Sequence, residues 1–192
     1  MLLYDHLGLG KRGIAKMKLK IITKDYKQSL LLKNNAFDIW GELIVKRNKE
    51  KWNYEIKKYS KKEVRKQTFP DENYSLKSIN ENGFAIGAFE GEKTIGLAVF
   101  KNQWNKYLYL EDLKVSGEYR RKGVASSLLK FAEEIAKEKK YKGLWTIGQN
   151  NNATACEFYL KYGFEIGGLD TEVYNHTSQK GKQNIHFYYD FL

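Results

Sequence analysis

The succession of hydrophobic patterns between residues 84 and 191 limits the possible folds of this chain more than any other part of its sequence. Two apolar runs, 84–89 and 94–100, flank the turn sequence Glu-Gly-Glu-Lys, which predicts a β-hairpin. The patterns that follow predict a strand at 107–115, a helix at 123–139, a strand at 144–147, a helix at 153–161, and strands at 164–167 and 185–191. Strands that first form hairpins and then alternate with helices indicate a mixed α/β sheet in a single domain.

The first third of the chain carries weaker patterns. Residues 1–16 are glycine-rich and basic without a clear period, so we predict an N-terminal extension ahead of a domain over residues 17–192. The other predictions here are a strand at 19–22, a short helix that Asp25 caps and that includes 30–32, one or two strands within 41–59, and helix or loop at 60–78.

The composition is that of a globular protein, and we expect it in the cytoplasm. The chain is 42% hydrophobic and 15% aromatic, and no apolar run approaches the roughly 20 residues that cross a bilayer. The first residues lack the apolar segment of a signal peptide. The net charge of +11 would suit a nucleic acid, but the lysines are spread over the whole chain. We therefore expect no nucleic-acid and no membrane partner, and expect the charge to attract a polyanionic cofactor.

Few residues are available for metal binding or disulfide chemistry. Cys156 is the only cysteine, which excludes an internal disulfide and any site with several thiolate ligands. His6, His176 and His186 lack the usual ligand spacings, so no metal site is predicted. Cys156 itself is predicted to be a small core residue.

A basic loop before the long helix is the most informative segment for function. The loop covers residues 116–122, and the helix begins with glycine and small residues. The first amides of a helix have no partner within it and carry partial positive charge, so they form a site for an anion. Gly123 would let a phosphate approach the main chain closely, and Arg120, Arg121 and Lys122 add positive charge.

This loop resembles motif A of the Gcn5-related N-acetyltransferase (GNAT) superfamily, Gln/Arg-x-x-Gly-x-Gly/Ala, with Arg120, Gly123 and Ala125 at the defining positions. Taken alone this motif is weak, because many helices begin near a glycine. Residues 152–164 resemble the second signature of the superfamily, Asn-x-x-Ala-x-x-(Phe/Leu)-Tyr followed by Gly-Phe. By both motifs together, in this order and spacing, the chain is identified as a member of the superfamily.

The resemblance implies a mostly antiparallel central sheet flanked by helices, acetyl-CoA as the cofactor, and compatibility with a homodimer. In the superfamily the main chain of motif A holds the diphosphate of coenzyme A. Carried onto this sequence, the cofactor-binding residues are Leu113, Lys114, Val115, Arg120, Arg121, Lys122, Gly123, Val124, Ala125, Ser126, Asn152, Ala155 and Tyr159.

Acetyl transfer to an amine requires a base for the amine, donors for the carbonyl oxygen and a proton for the leaving thiolate. The resemblance points to Tyr159 as the proton donor, because its family counterpart lies beside the sulfur of coenzyme A and a phenol can protonate a thiolate. Packing alone, or a hydrogen bond to the cofactor, is its alternative role. For the carbonyl oxygen the family uses amides at a bulge in the central strand, here around 113–115.

Glu111 and Asp112 are the candidates for the base, and both are predicted to be catalytic. A partly desolvated carboxylate can take a proton directly or through one water, and it attracts a cation. Strand alternation would send the two side chains to opposite faces. Unless a bulge intervenes, one face carries Tyr107, Tyr109, Glu111, Leu113 and Val115. We favour Glu111 for this reason; its alternative role is a cross-strand ion pair with lysine or arginine.

Within the superfamily the sequence is similar to streptothricin acetyltransferases, which acetylate an amine of the β-lysine moiety. The similarity runs from about residue 83 to the C-terminus, except for 175–182, and rests on Trp104-Asn105-x-Tyr107-x-Tyr109-x-Glu111-Asp112, Gln149-Asn150-Asn151-Asn152 and Gly168-x-Asp170-Thr171-x-x-Tyr174. A polycationic drug needs carboxylates and aromatic faces. The predicted substrate-binding residues are Trp104, Tyr107, Tyr109, Glu111, Asp170 and Tyr174, although each aromatic side chain could equally belong to the core.

Two other functions stay open at this point. The same chemistry could act on another small amine or on a protein amine. Alternatively, the chain could be a basic nucleic-acid-binding module with a vestigial cofactor site, which would bind DNA or RNA with a steep salt dependence.

Overall fold

The computed structural model describes residues 6–8 and 17–191. The remainder of the predicted extension, 1–5 and 9–16, lies outside the described residues. The described residues form twelve strands: β1 His6–Gly8, β2 Met17–Ile21, β3 Phe37–Ile39, β4 Gly41–Asn48, β5 Lys51–Lys58, β6 Arg65–Gln67, β7 Gly83–Glu90, β8 Lys93–Lys101, β9 Tyr107–Val115, β10 Gly143–Gln149, β11 Glu165–Asp170 and β12 Asn184–Asp190. The helices are α1 Leu76–Glu81, α2 Val124–Glu138 and α3 Ala153–Tyr162, with 3-10 helices at Lys24–Leu31 and Gly117–Tyr119.

The chain forms two compact units, and it enters each of them more than once. Unit 1 contains the described residues of 1–35, then 69–144 and residue 191, whereas unit 2 contains 36–68 and 145–190. The limits of the predicted domain, 17–192, stay a prediction. No helix among the described residues is long and apolar enough to cross a membrane.

Unit 1 is built on antiparallel strands in the order β1, β2, β7, β8, β9. The predicted hairpin is the β7–β8 pair, in which Gly91 occupies the turn with φ +60°. Helix α2 packs on β8 at Gly96, where a Cβ would lie only 2.7 Å from Cγ1 of Val124. The opposite side of these strands buries a cluster of Ile22, Leu30, Ile79, Ala85, Phe89, Leu97 and Val99.

Unit 2 contains the β4–β5 hairpin, the short β3–β6 pair, β10 from residue 145 onward, strands β12 and β11, and helix α3; the strand order is β10, β12, β11. The alternating residues between 41 and 59 therefore belong to two paired strands, as predicted. The fold class is confirmed: the structure is a mixed α/β fold with mostly antiparallel strands and flanking helices.

Two local predictions are wrong. Asp25 does not cap the first helix: the chain is extended at Thr23, which is the N-cap residue, and Asp25 lies in the first turn, where a carboxylate favours the positive helix end. Residues 60–78 contain β6 in addition to helix and loop, because a three-residue strand is too short to show a period.

Candidate active site

A β-bulge at Glu111 changes the direction of side chains along β9. Phe100 of β8 lies opposite Leu110, whereas Val99 lies opposite Asp112, so Glu111 has no partner in the register. Residues that lie opposite each other share a face of the sheet. Asp112 is therefore on the face of Val99, and Leu110 is on the face of Phe100.

A bulge does intervene, so the single face predicted in its absence for Tyr107, Tyr109, Glu111, Leu113 and Val115 does not extend past Glu111. Leu113 and Val115 lie opposite Ala98 and Gly96, which is the other face from Tyr109. The extra residue of the bulge interrupts the alternation, and the bulge lies just before the segment 113–115 where the family resemblance placed it.

Glu111 and Asp112 lie toward the same face, although alternation predicted opposite faces. Oε1 of Glu111 pairs with Nζ of Lys101. Lys101 lies on the same face of the sheet as Val99, whose register partner is Asp112. The cross-strand ion pair considered for Glu111 is therefore present. It occupies only one oxygen, because Oε2 of Glu111 is buried and has no hydrogen-bond partner in the described part of the chain.

Lys114 is the buried cation of this region and is 5% exposed. Its Nζ pairs with Oε2 of Glu72, lies 3.3 Å from Oδ2 of Asp112, and donates to the main-chain oxygen of Leu32 at 3.4 Å. It also lies 5.7 Å from the centre of the Tyr74 ring. A buried ammonium needs such partners, because its charge is costly to desolvate.

The surroundings of Asp112 raise its affinity for a proton. Burial raises the pKa of Asp112 to about 6; the charge of Lys114 opposes this rise, the charge of Glu72 adds to it, and a hydrogen bond with Tyr74 opposes it. Burial, followed by the charges of Asp112, Glu111 and Glu72, also raises the pKa of Tyr74, so its hydroxyl stays protonated and can donate. A carboxyl group that titrates near neutral pH can take up a proton and release it again.

The aromatic residues predicted for substrate binding in unit 1 lie in different environments. Trp104 is 91% exposed, in the turn before β9. Tyr107 and Tyr109 are half-buried, and burial, followed by the charge of Glu111, raises the pKa of Tyr109. The register places Tyr109 on the face of Asp112, and Tyr107, two residues earlier in β9, shares that face by strand alternation.

Helix α2 begins with amides that no side chain caps. Gly123 has φ +85°, in the left-handed region that favours glycine, and it provides no cap. The first intrahelical hydrogen bond runs from the Ser127 amide to the Gly123 oxygen at 3.0 Å, so the amides of Val124, Ala125 and Ser126 precede it. A Cβ at Gly123 would meet nothing within 4 Å. Open main chain beside uncapped amides fits a diphosphate.

The three basic residues of motif A do not play the same part. The guanidinium of Arg120 donates to main-chain oxygens, to Asn35 at 2.8 Å and to Val115 at 3.4 Å, and so it holds the loop. Arg121 is exposed and adopts φ +61°, and Lys122 is half-buried. Arg121 and Lys122 are therefore the better candidates for charge beside a bound anion.

In unit 2, helix α3 begins with a capped end. Oδ1 of Asn152 accepts a hydrogen bond from the Ala155 amide at 3.2 Å. Tyr159 is 7% exposed, and its ring centre lies 5.4 Å from that of Phe187 and 5.5 Å from that of Phe164. The packing role considered for Tyr159 is therefore present, and its role as an acid stays a prediction.

Cys156, on the same helix, is a core residue as predicted. Its side chain is fully buried, and Sγ donates weakly to the main-chain oxygen of Gln149 at 3.4 Å. Burial raises the pKa of the Cys156 thiol to about 12. At neutral pH the thiol is protonated and a poor nucleophile.

The substrate residues predicted near the C-terminus also have structural contacts. Oδ1 of Asp170 accepts the amide of Glu172 at 2.9 Å and so fixes a turn. The hydroxyl of Tyr174 donates to Oδ1 of Asn184 at 2.8 Å and accepts from Nε2 of Gln149 at 2.8 Å. Substrate binding by Asp170 and Tyr174 stays a prediction.

Sequence reasoning missed Glu72 and Tyr74, which contact Lys114 and Asp112. Nδ2 of Asn34 holds Glu72 in place, because it donates to both carboxylate oxygens at 3.3 Å and 3.1 Å. A lysine between Leu113 and Val115 in a predicted strand could have signalled a carboxylate partner, since lysine is almost never fully buried unless paired. The sequence does not indicate which carboxylate that partner is.

Comparisons with known proteins agree with the two motifs. The model of the acetyltransferase (GNAT) family matches residues 48–164, which include both motif segments. Streptothricin acetyltransferase A of Bacillus subtilis (strain 168) is 33% identical over 159 residues, which cover 82% of this chain and 91% of that protein. The streptothricin acetyltransferase of Escherichia coli is 33% identical over 112 residues, which cover 58% of this chain and 64% of that protein. The crystal structure of a protein assigned as a streptothricin acetyltransferase from Bacillus anthracis str. Ames, in complex with acetyl coenzyme A, matches with a TM-score of 0.81 and 27% identity, over 92% of this chain and 99% of that one.

Proposed function

Because the chain belongs to the GNAT acetyltransferase family, we propose that it acetylates an amine in the β-lysine moiety of streptothricin. The chain is an N-acetyltransferase that uses acetyl-CoA. The observation that carries the choice of acceptor is the pair Glu111 and Asp112 on one face of β9. Oε2 of Glu111 is buried and lacks a hydrogen-bond donor among residues 17–191, and Asp112 shares the cation Lys114 with Glu72. A cationic amine would bring both donors and positive charge. The similarity to streptothricin acetyltransferases supports the same choice.

The cofactor-binding residues form two groups. In unit 1, the amides of Val124, Ala125 and Ser126 hold the diphosphate, and Arg121 and Lys122 supply positive charge. The family resemblance adds the main chain of 113–115, the Gly123 turn, Asn152 and Ala155 as further cofactor-binding residues. When bound, acetyl-CoA supplies a thioester whose acetyl group moves to the amine nitrogen, with a C–N bond formed, the C–S bond broken and the electron pair left on sulfur.

Two protons must move in this reaction. One leaves the substrate ammonium, because an ammonium has no lone pair, and the carboxylate pair of Glu111 and Asp112 takes it. The hydroxyl of Tyr159 protonates the leaving sulfur, and the other proton, which leaves the nitrogen as the amide forms, restores that hydroxyl. The net products are an amide, a thiol and one proton released to solvent.

Thiol release with acetyl-CoA and a panel of amines tests this function. The panel contains streptothricin, an aminoglycoside, a polyamine and a lysine peptide. We expect the largest kcat/KM with streptothricin. Release with another amine and none with streptothricin would reject the proposed acceptor.

The same assay tests the role of Tyr159 through a matched pair of variants. Loss of a general acid typically costs a factor of about 100 or more, so Tyr159→Phe should lower kcat by roughly that factor. Tyr162→Phe removes a hydroxyl three residues further along α3 and should leave kcat unchanged. Equal activity of the two variants would show that Tyr159 only packs.

A further inference from the structure

We propose that Asp112 is the group that takes the proton from the substrate ammonium, and that Lys114, Glu72 and Tyr74 are positioning residues that hold its carboxylate. The inference rests on the proposed acetylation of an amine and adds which of the two adjacent carboxylates is the base. In this step an N–H bond of the ammonium breaks, the electron pair stays on nitrogen, and the proton joins an oxygen of Asp112 before it passes to solvent.

The two carboxylates differ in the cation that accompanies each of them. Glu111 pairs with Lys101, whose side chain is 46% exposed. The Asp112 side chain is 14% exposed, and that of its neighbour Lys114 is 4% exposed. Water screens an exposed pair, whereas buried charges interact through a lower dielectric constant. Asp112 is therefore the carboxylate whose affinity for a proton its neighbours can set.

A chain of contacts fixes the position of Asp112. Oδ2 of Asp112 lies 3.3 Å from Nζ of Lys114. The hydroxyl of Tyr74 donates a hydrogen bond to the Asp112 carboxylate. Glu72 pairs with the same ammonium, and Asn34 donates to both oxygens of Glu72. Because Glu72 competes with Asp112 for one cation, the charge of Asp112 is only partly neutralised. The carboxylate is thus held in place and stays basic.

Opposite charges around Asp112 make its role testable. The nearby titratable and charged groups are Glu72, Tyr74, Lys101, Tyr109, Glu111 and Lys114. Removal of the Lys114 charge should raise the pKa of Asp112, whereas removal of the Glu72 charge should lower it. If Lys114 and Glu72 mattered only for stability, their substitutions would not shift the pH profile of activity in opposite directions.

The test is the pH dependence of kcat/KM, measured with the amine of the panel that is turned over fastest. Since Asp112 must be ionised to act, wild-type activity should rise with pH through a limb at about 6. We expect Lys114→Met to move this limb upward by roughly one pH unit, Tyr74→Phe to move it upward by less, and Glu72→Gln to move it downward. Lys101→Met is the matched control: it removes a lysine from the same face and should leave the limb in place.

A limb that moves in Lys101→Met but not in Lys114→Met would make Glu111 the base and overturn the proposal. Lys114→Met leaves two carboxylates without their cation and could fail to fold; the shifts in Glu72→Gln and Tyr74→Phe then decide.

Carboxyl carbon NMR gives the pKa of Asp112 in the free protein, and this pKa must shift in each variant in the same direction as the kinetic limb. If it titrates as expected while the kinetic limb does not move, Asp112 is a buried carboxylate without a role in proton transfer. If another amine is turned over and streptothricin is not, only the proposed acceptor is rejected. The role of Asp112 is still tested, because the limb is measured with the amine that reacts.

Discussion

Two passages from a strand to a helix carry the family motifs, and they satisfy their polar groups differently. Between β9 and α2, the bulge at Glu111 accompanies a buried carboxylate oxygen, Oε2 of Glu111, that has no donor among the described residues, and Gly123 starts the helix without a side-chain cap. Between β10 and α3, Oδ1 of Asn150 accepts the amide of Gln183 at 2.9 Å, and Asn152 caps the helix. The first passage leaves polar groups without hydrogen-bond partners, whereas in the second passage asparagine side chains accept hydrogen bonds from nearby main-chain amides.

This difference indicates what each passage does. A buried polar group without a partner costs stability, and proteins keep such groups mainly where a ligand or the chemistry uses them. The β9–α2 passage therefore suits an anion at the helix and a cation at the carboxylates, whereas the β10–α3 passage suits a rigid support. Asn151 is an exception in the second passage, because its Oδ1 is buried without a partner among the described residues.

The strongest test of the comparison is Gly123→Leu. The substitution forces a side chain into the left-handed region and places it beside the uncapped amides, so we expect the Kd for coenzyme A, measured by calorimetry, to rise by a factor of about 100.

Gly91→Leu provides the matched control. Gly91 also has a positive φ, +60°, and a Cβ there would likewise meet nothing within 4 Å. The backbone strain is comparable, so a similar loss of affinity in both variants would mean that the α2 amides do not hold the diphosphate.

Asp112→Asn should make the folded protein more stable at neutral pH. The pKa of Asp112 in the folded state, about 6, lies above its ordinary value of 3.8. Between these values the unfolded chain holds fewer protons than the folded one, so the Asp112 contribution to stability falls as pH rises from about 4 to 6. We expect the variant to gain about 3 kcal/mol in free energy of unfolding at pH 8 and only about 0.5 kcal/mol at pH 4. Urea unfolding at both pH values measures this, and an equal change at both would exclude ionisation as the cause.

The sequence was sufficient to predict the strands and helices from Phe84 onward and both motifs, because periodicity and local spacing encode them. It could not reveal the bulge at Glu111, since a bulge is defined by the register of the neighbouring strand. For the same reason the predicted face of Asp112 was wrong, whereas Glu111 lies toward the face of Tyr109 as predicted. Glu72 and Tyr74 lie outside regular structure, in a segment without a period, and only the folded chain brings them to Asp112 and Lys114.

The smallest expected effect concerns the capped passage. Asn152→Ala removes the acceptor for the Ala155 amide and should lower the free energy of unfolding by about 1 kcal/mol. Asn152→Ser keeps a capping oxygen and should restore most of this stability. Coenzyme A affinity in the two variants then separates two roles of Asn152. If the serine variant binds as tightly as wild type, the side chain acts as a cap; if its affinity falls while its stability is retained, the amide group also contacts the cofactor, and the difference between the two passages is smaller than their hydrogen bonds indicate.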